Sequence, residues 1–304
     1  MPDECRASGW LVVDKPEGFS SHRVVDTIRR AIGAKAGHAG TLDLLASGVL
    51  PVAIGEATKT VAYAMNGRKR YRFRIQWGVA RTTDDSEGEI VSESEARPNR
   101  AEIEAILPRF TGRVMQTPPA YSALKISGRR AYALARAGRP PSLPPRQVEI
   151  FSLQLVGIPG PDHADFETEV GKGTYIRALA RDLAAGLGTF GHITALRRLS
   201  VGSFTEADAI RLESINNPQH MSHAVGSLLP IETSLAGVPA VTLAKAEAER
   251  LRYGQRVAID QAVEQVPSDG LGPGMVVSIW HDHALVALAV VEDGRLRPIR
   301  VING

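Results

Sequence analysis

Residues 37–51 read Gly37-His38-Ala39-Gly40-Thr41-Leu42-Asp43-Leu44-Leu45-Ala46-Ser47-Gly48-Val49-Leu50-Pro51, a glycine-rich loop that opens into an apolar run. The loop displays one carboxylate, Asp43, five residues after His38. Glycine permits turns that other residues resist and lets a second molecule approach the main chain closely. A carboxylate on such a loop can act as a nucleophile or general base, or it can simply cap a turn or helix. The spacing leaves both interpretations open.

The segments on either side of this loop predict a buried strand, a helix and a second strand. Residues 9–15 are mostly apolar and end at a proline, which is typical of a short buried strand. Ser20 or Ser21 can then cap a helix whose apolar face recurs at helical spacing as far as Ile32, and Gly33 is a suitable stop. Residues 50–54 predict another buried strand.

Residues 71–77 alternate cleanly between two faces. Tyr71, Phe73, Ile75 and Trp77 fall on one face, while two arginines and a glutamine fall on the other. This period of two predicts a strand with one face on the core and a basic face exposed. Tyr71 can be an ordinary core aromatic residue or part of a site.

Charge is distributed unevenly along the 304 residues, although the formal net charge is only +3. Residues 109–146 contain eight Lys or Arg and no acid, and residues 68–81 contain six and no acid. Such stretches are typical of a phosphate-facing surface. The alternative is two solvated faces whose charge is balanced by acids elsewhere in space.

A further basic residue, Arg177, lies near the start of a predicted helix. Gly171-Lys172-Gly173 predicts a turn into a helix that carries Arg177 and Arg181 off its apolar stripe. Arg177 can be a surface charge or the partner of a carboxylate.

After Pro230 the chain becomes near-neutral and predicts short strands around one small helix, so it should form a small β-rich domain.

Several classes of protein and site are disfavoured. The single cysteine allows no internal disulfide and no cysteine-cluster zinc site, and His281 and His283 have no evident co-ligands, so no metal is expected. No phosphate-binding loop or nucleophile elbow is present, and nothing requires a cofactor. There is no apolar run of about 18 residues and no secretory signal, so we expect a cytoplasmic protein without a membrane span.

The chain resembles the bacterial tRNA pseudouridine-55 synthases, the TruB family of pseudouridine synthases. The resemblance runs from Gly9 to about Thr205, while the tail is more weakly similar to the family's small PUA-type RNA-binding domain. The motifs that carry it occur in the family's order: Val13-Asp14-Lys15-Pro16-Glu17-Gly18-Phe19-Ser20-Ser21, Gly37 to Asp43, Lys69-Arg70-Tyr71, Tyr121-Ser122-Ala123-Leu124-Lys125, Gly128-Arg129-Arg130-Ala131-Tyr132, Gly173-Thr174-Tyr175-Ile176-Arg177 and Leu196-Arg197-Arg198-Leu199.

The resemblance implies an α/β (α+β) pseudouridine synthase fold with a mixed, largely antiparallel sheet. It places a catalytic domain at residues 1–237, with an RNA-gripping insertion at about 112–147 that we expect to be mobile without RNA, and a PUA-like domain at 238–304. It implies isomerisation of uridine to pseudouridine in the T-loop of tRNA, at position 55, after the base is flipped out. The implied partner is the tRNA T-arm, with no obligatory protein partner, and the chain is expected to be a monomer.

The resemblance also implies roles for individual residues. Asp43 would be the nucleophile, Arg177 would pair with it, and Tyr71 would stack on the base and help proton transfer. The remaining expectations are that Tyr175 and Leu196 line the base pocket, that His38 contacts the RNA, that Lys125, Arg129 and Arg130 bind RNA, and that Lys15 and Pro16 support the loop.

The chain departs from the family at two positions of the loop. Leu44 stands where the family usually has proline, which would restrict the backbone of Asp43, so this loop is expected to be looser. Ser47 stands where threonine is common. Two other functions remain open: a non-catalytic RNA-binding or RNA-folding protein that uses the same cleft, and a guide-dependent relative that is active only within a ribonucleoprotein.

Overall fold

The computed structural model describes residues 7–126, 128–215, 225–264 and 270–303. Its helices are α1 (Ser21–Ile32), α2 (Val61–Asn66), α3 (Arg100–Ile106), α4 (Ala131–Arg136), α5 (Ile176–Gly186) and α6 (Lys245–Arg252). The strands before residue 230 are β1 (Gly9–Lys15), β2 (Ala36–His38), β3 (Ala46–Ile54), β4 (Lys69–Trp77), β5 (Val79–Arg81), β6 (Ile90–Glu93), β7 (Gly112–Gln116), β8 (Lys125–Ile126), β9 (Arg129–Arg130), β10 (Arg146–Gly160), β11 (His163–Val170), β12 (Gly191–Val201), β13 (Phe204–Thr205) and β14 (Ile210–Arg211). The later strands are β15 (Ala240–Leu243), β16 (Val257–Ala258), β17 (Ala262–Glu264), β18 (Val276–His281), β19 (Ala284–Glu292) and β20 (Arg295–Val301).

A ten-stranded sheet forms the larger part of the molecule. Its main path runs β14-β1-β3-β12-β4-β11-β10-β7, with β2 on β3 and β13 on β12. Only the β1–β14 and β3–β12 pairs are parallel, and the others are antiparallel. The predicted mixed, largely antiparallel sheet is therefore confirmed.

Strand β4 shows why the alternating residues form a strand. Phe73, Ile75 and Trp77 are buried, and Phe73 stacks on Phe166 of β11 with ring centroids 5.3 Å apart. Apolar residues at every second position place one whole face of the strand on the core. Tyr71 continues this face at its partly buried end, where the core meets a cavity.

The helix ends follow local chemistry. The Ser20 side chain accepts a hydrogen bond from the backbone N–H of Arg23 at 3.1 Å, and Gly33 closes α1 at φ +71°, as the sequence predicts. Helix α3 is α-helical only to Ile106, and the chain continues as a 3₁₀ helix to Phe110. Pro108 explains the change, because it has no N–H for the next α-helical hydrogen bond.

The end of the chain forms a second, six-stranded sheet in the order β16-β20-β19-β18-β15-β17. Helix α6 packs on it around a core of its own, which includes Val241, Leu251 and Ile279. The predicted β-rich tail is thus confirmed, and its last strand begins at Arg295, which pairs with Glu292 of β19. The domain boundary at residue 237 and the PUA likeness of this unit stay predictions.

The 112–147 segment is anchored at both ends in the large sheet. Strand β7 pairs with β10 from Gly112–Ile150 to Gln116–Arg146, so only the part between Gln116 and Arg146 leaves the sheet. That part contains the two-stranded β8–β9 hairpin and α4. No helix among the described residues is long and apolar enough to cross a membrane.

Candidate functional site

Asp43 lies in the loop between β2 and β3. Gly40 has φ +106°, a conformation that glycine adopts easily, and this turns the loop toward α1. The Ser21 hydroxyl then accepts a hydrogen bond from the Leu42 N–H at 2.8 Å and lies 3.1 Å from the Leu42 carbonyl oxygen. The first residue of α1 therefore fixes the backbone directly before Asp43.

Arg198 of β12 holds the same loop from the other side. Its buried guanidinium donates to the carbonyl oxygens of Gly40 at 3.0 Å and Val49 at 2.8 Å. A Cβ on Gly48 would lie only 2.2 Å from the Arg198 carbonyl oxygen, so the main chains of β3 and β12 are in direct contact at this glycine. Arg198 lies within one of the family motifs, Leu196 to Leu199, but neither that motif nor its local pattern implies a role for it.

Lys15 lies at the base of the loop. Its ammonium group donates to the carbonyl oxygens of Phe19 at 2.7 Å and Pro16 at 2.9 Å, and it approaches that of Leu44 at 3.5 Å. Burial lowers the pKa of Lys15 to about 8, although the charge of Asp43 opposes the shift. Leu44 itself is exposed.

Arg177, the second residue of α5, meets Asp43 in a two-pronged ion pair. Nε donates to Asp43 Oδ2 at 2.8 Å and Nη2 donates to Oδ1 at 3.1 Å. The same guanidinium donates to the carbonyl oxygens of Thr83 at 2.8 Å and Tyr121 at 2.9 Å. Arg177 is buried, so the interpretation of it as a surface charge is wrong.

A second carboxylate, missed by the sequence analysis, completes this arrangement. Asp85 is buried in the loop between β5 and β6, and its Oδ2 lies 3.4 Å from Nη1 of Arg177. Burial alone would lower the pKa of Arg177, but the charges of Asp43 and Asp85 raise it overall, so the guanidinium stays charged. In the sequence, Asp85 lies in an acidic stretch, but nothing there indicates this ion pair because its partner Arg177 is far away in the chain.

These groups border an open cavity of about 880 Å³. Tyr71, Tyr175 and Leu196 line it together with Asp43 and Arg177, so the structure brings five of the expected site residues to one place. A volume of this size holds a nucleoside with room for its neighbours.

The other expected site residues do not line this cavity. His38 lies on β2, and its Nδ1 is buried without a hydrogen-bond partner among the described residues. Burial lowers the pKa of His38, and the charge of Arg198 adds to the shift. Lys125, Arg129 and Arg130 are exposed on the β8–β9 hairpin.

Tyr175 is fixed through its backbone by the start of the insertion. The Gln116 side chain accepts from the Tyr175 N–H at 2.9 Å and donates to the Tyr175 carbonyl oxygen at 3.1 Å. The guanidinium of Arg146, opposite Gln116 in the sheet, lies 5.1 Å from the centre of the Tyr175 ring. Both anchored ends of the insertion thus contact the residue directly before α5.

The two basic stretches differ in their surroundings. Arg70 and Arg72 pair with Glu167, and Arg74 pairs with Asp165 at 2.6 Å, across the β4–β11 pair. This exposed face is therefore balanced by acids, which was one of the two interpretations left open. In the described part of the chain, Lys125, Arg129 and Arg130 form no ion pair. No group of three or more possible metal ligands occurs among the residues that the structure describes.

The fold matches solved structures over the whole chain. A chain in the crystal structure of the archaeal box H/ACA sRNP Nop10–Cbf5 complex gives a TM-score of 0.76 at 22% identity, covering 100% of this chain and 89% of that one. A chain of a Cbf5–Nop10–Gar1 complex gives 0.78 at 24% identity, with coverage of 100% and 88%. At 22% and 24% identity, these similarities show that the chain shares the fold of those proteins.

Sequence comparison is more specific. The model of the N-terminal domain of TruB family pseudouridylate synthases matches residues 29–176, and that of the tRNA pseudouridylate synthase B C-terminal domain matches 177–236. The tRNA pseudouridine synthase B of Rhodospirillum rubrum is 49% identical, covering 97% of this chain and 96% of that protein. That of Gluconacetobacter diazotrophicus is 47% identical, with 97% of each chain covered. The chain that folds Asp43 against Arg177 in this cavity thus belongs to the TruB family of tRNA pseudouridine synthases, which are isomerases.

Proposed function

We propose that this chain isomerises uridine to pseudouridine at position 55, in the T-loop of tRNA, with Asp43 as the nucleophile. The observation that carries the proposal is the pairing of the Asp43 carboxylate with the buried Arg177 at the edge of a cavity whose lining includes Tyr71 and Tyr175. The pair fixes both carboxylate oxygens, and the cavity offers aromatic faces for an extruded base. A base stacked in a folded loop must leave the stack before a protein group can reach its reacting atoms.

The reaction itself needs a nucleophile and proton transfer. The bond from N1 to C1′ breaks, a bond from C5 to C1′ forms, the C5 proton leaves and N1 gains a proton. No electrons are gained or lost, so the balance requires no redox cofactor. Asp43 attacks an electrophilic carbon of the extruded nucleotide, and the bond that it forms breaks again before the product leaves, which regenerates the carboxylate. The ion pair with Arg177 holds this carboxylate ready for the attack.

The cavity walls suit the uracil ring. Tyr71 stacks on the ring and assists removal of the C5 proton, while Tyr175 and Leu196 enclose the opposite side of the base. Side chains that exclude water from this space protect the broken glycosidic bond from hydrolysis.

The rest of the tRNA T-arm is bound outside the cavity. Lys125, Arg129 and Arg130 are exposed and free of acidic partners among the described residues, so they can contact phosphates. His38 contacts the RNA beside the flipped nucleotide. The chain works in the cytoplasm as a monomer and needs no protein partner.

The test is release of tritium from T-arm RNA that carries uridine labelled at C5, because only a C5 proton loss frees the label. Wild type should release it, while Asp43→Asn should bind the RNA and release none. Asp162→Asn is the matched control, since Asp162 is an exposed carboxylate paired with Arg97 outside the cavity. Wild type that binds and refolds RNA without release would establish an RNA-binding or RNA-folding protein instead. Release only after addition of a guide RNA and protein partners would establish a guide-dependent enzyme.

A further inference from the structure

A second arginine–aspartate pair lies one helical turn beyond the first. Arg181 of α5 donates through Nη1 to Asp84 Oδ2 at 2.9 Å and through Nη2 to the Thr117 carbonyl oxygen at 2.8 Å. Its Nε donates to Asp182 at 2.9 Å. Neither the sequence motifs nor the chemistry proposed above gives Arg181 or Asp84 a role.

Both arginines connect the same two segments. Arg177 donates to Thr83 and lies against Asp85 in the loop between β5 and β6, and Arg181 binds Asp84 between them. On the other side, Arg177 donates to the carbonyl oxygen of Tyr121 and Arg181 to that of Thr117. The outer pair thus holds the two backbones that supply carbonyl oxygens to the inner arginine.

The backbone of Asp84 has an uncommon conformation that its neighbours hold in place. Its φ is +59°, in the left-handed region where residues with a Cβ are uncommon, and its side chain is only 14% exposed. Hydrogen bonds from its N–H to Arg81 and from Ile193 to its carbonyl oxygen, both at 3.1 Å, fix the backbone. Arg181 then provides the charge that balances the buried carboxylate.

We propose that Asp84 and Arg181 form a positioning pair that sets the orientation of the Arg177 guanidinium, and through it that of the Asp43 carboxylate. This rests on the proposed function. Because neither Asp84 nor Arg181 lines the cavity that would hold the base, loss of the pair should slow the chemical step and leave RNA binding unchanged.

The pair also predicts a pH dependence. The charged groups around the Asp84 carboxylate are Arg181, Arg177 and Asp182 of α5, with Asp85 adjacent in the chain. Burial raises the pKa of Asp84 to about 6, although both arginines oppose the shift. Protonation of Asp84 below that pH weakens its ion pair with Arg181, so kcat should fall as the pH is lowered through about 6. This fall should be absent from the pH dependence of kcat in Asp84→Asn.

The experiment measures kcat and KM for tritium release by wild type, Asp84→Asn, Arg181→Gln and the double variant between about pH 5 and pH 8. Each single variant should lose about ten- to a hundredfold in kcat with KM within about twofold. The double variant should be no slower than the slower single variant, because both changes remove one interaction. Arg181→Lys should recover part of the rate, and Arg97→Gln is the control, since Arg97 is exposed to a similar extent and pairs with Asp162.

A second measurement separates this inference from the proposed function. The ¹⁵N–¹H signal of Arg177 Nε, identified by its loss in Arg177→Lys, should shift in Asp84→Asn and Arg181→Gln without any RNA. If the signal shifts in the two variants but the wild-type protein releases no tritium, the proposed function is refuted and the positioning pair is supported. An unmoved signal, fully multiplicative losses in the double variant, or an acid limb retained in Asp84→Asn would overturn the pair.

Discussion

Arginine–carboxylate pairs occur in two very different regions of this molecule. At the cavity, Arg177 is buried, contacts two carboxylates and donates to two backbone carbonyl oxygens. On the outer face of β4, the side chains of Arg72 and Arg74 are 58% and 41% exposed, and each pairs across to β11. The same two chemical groups therefore form a buried network at the cavity and a charge-balanced, exposed face on β4, and burial is the difference between the two regions.

The largest effect that tests this comparison is expected from Arg177→Gln. The variant leaves Asp85 as a buried carboxylate without its cation, and a broken buried pair typically costs about 3–5 kcal/mol in the free energy of unfolding. Denaturant titration of both proteins measures the loss, and tritium release should disappear as well. A loss below about 1 kcal/mol would show that the buried pair resembles the exposed ones.

The next effect is the pH dependence of stability that Asp84 contributes. Its folded-state pKa of about 6 lies above the value of 3.8 for the free side chain, so between these values the folded state binds more protons than the unfolded state. The free energy of unfolding of wild type should therefore fall as pH rises from 4 to 6, by an amount on the order of 2 kcal/mol relative to Asp84→Asn. Parallel urea titrations of both proteins at several pH values measure this difference, and equal slopes would contradict it.

RNA binding should separate the two basic stretches. Arg129→Gln with Arg130→Gln removes charges that have no acidic partner among the described residues, and should weaken T-arm binding about tenfold and reduce its salt dependence. Arg72→Gln with Arg74→Gln removes the same number of charges from the balanced face and should change the affinity by less than about twofold. Fluorescence anisotropy over a range of salt concentrations measures both, and equal losses would mean that the balanced face also binds RNA.

The smallest effect is expected for the stability of Arg72→Gln. An exposed ion pair contributes about 0–1 kcal/mol, because water and salt already screen both charges. Thermal unfolding of wild type and the variant, in low and high salt, should therefore nearly coincide. A large loss that disappears in high salt would show that the β4–β11 pairs act as a coupled network.

Much of the fold was predictable because its signals are local. The alternation in β4 and the caps of α1 act over a few residues, and both are confirmed. The pairing of Arg72 with Glu167 joins residues 95 positions apart, and nothing near either residue indicates it. The alternation therefore predicted an exposed basic face, but it could not reveal the acids on the neighbouring strand.

The candidate site also has parts that the sequence predicted and parts that it did not. Residue spacing left Asp43 between a capping and a catalytic role, and only the family resemblance favoured one of them. Asp85 lies in an acidic stretch where nothing indicates a buried ion pair, since its partner Arg177 comes from a helix 92 residues later in the chain. Tertiary contacts of this kind are set by the order of strands in the sheet, which no local pattern contains.

The place of β12 in the sheet also fixes when the site can form during synthesis. β12 lies between β3 and β4, although it follows both by more than a hundred residues, so the two earlier strands have no shared neighbour until residues 191–201 emerge. Arg198, which holds the carbonyl oxygens of Gly40 and Val49, arrives with the same strand. Contacts between such distant residues form slowly. A nascent chain that ends before β12 thus carries Asp43 on an incomplete scaffold, and the ribosome must add most of the larger sheet before the loop can take its final shape.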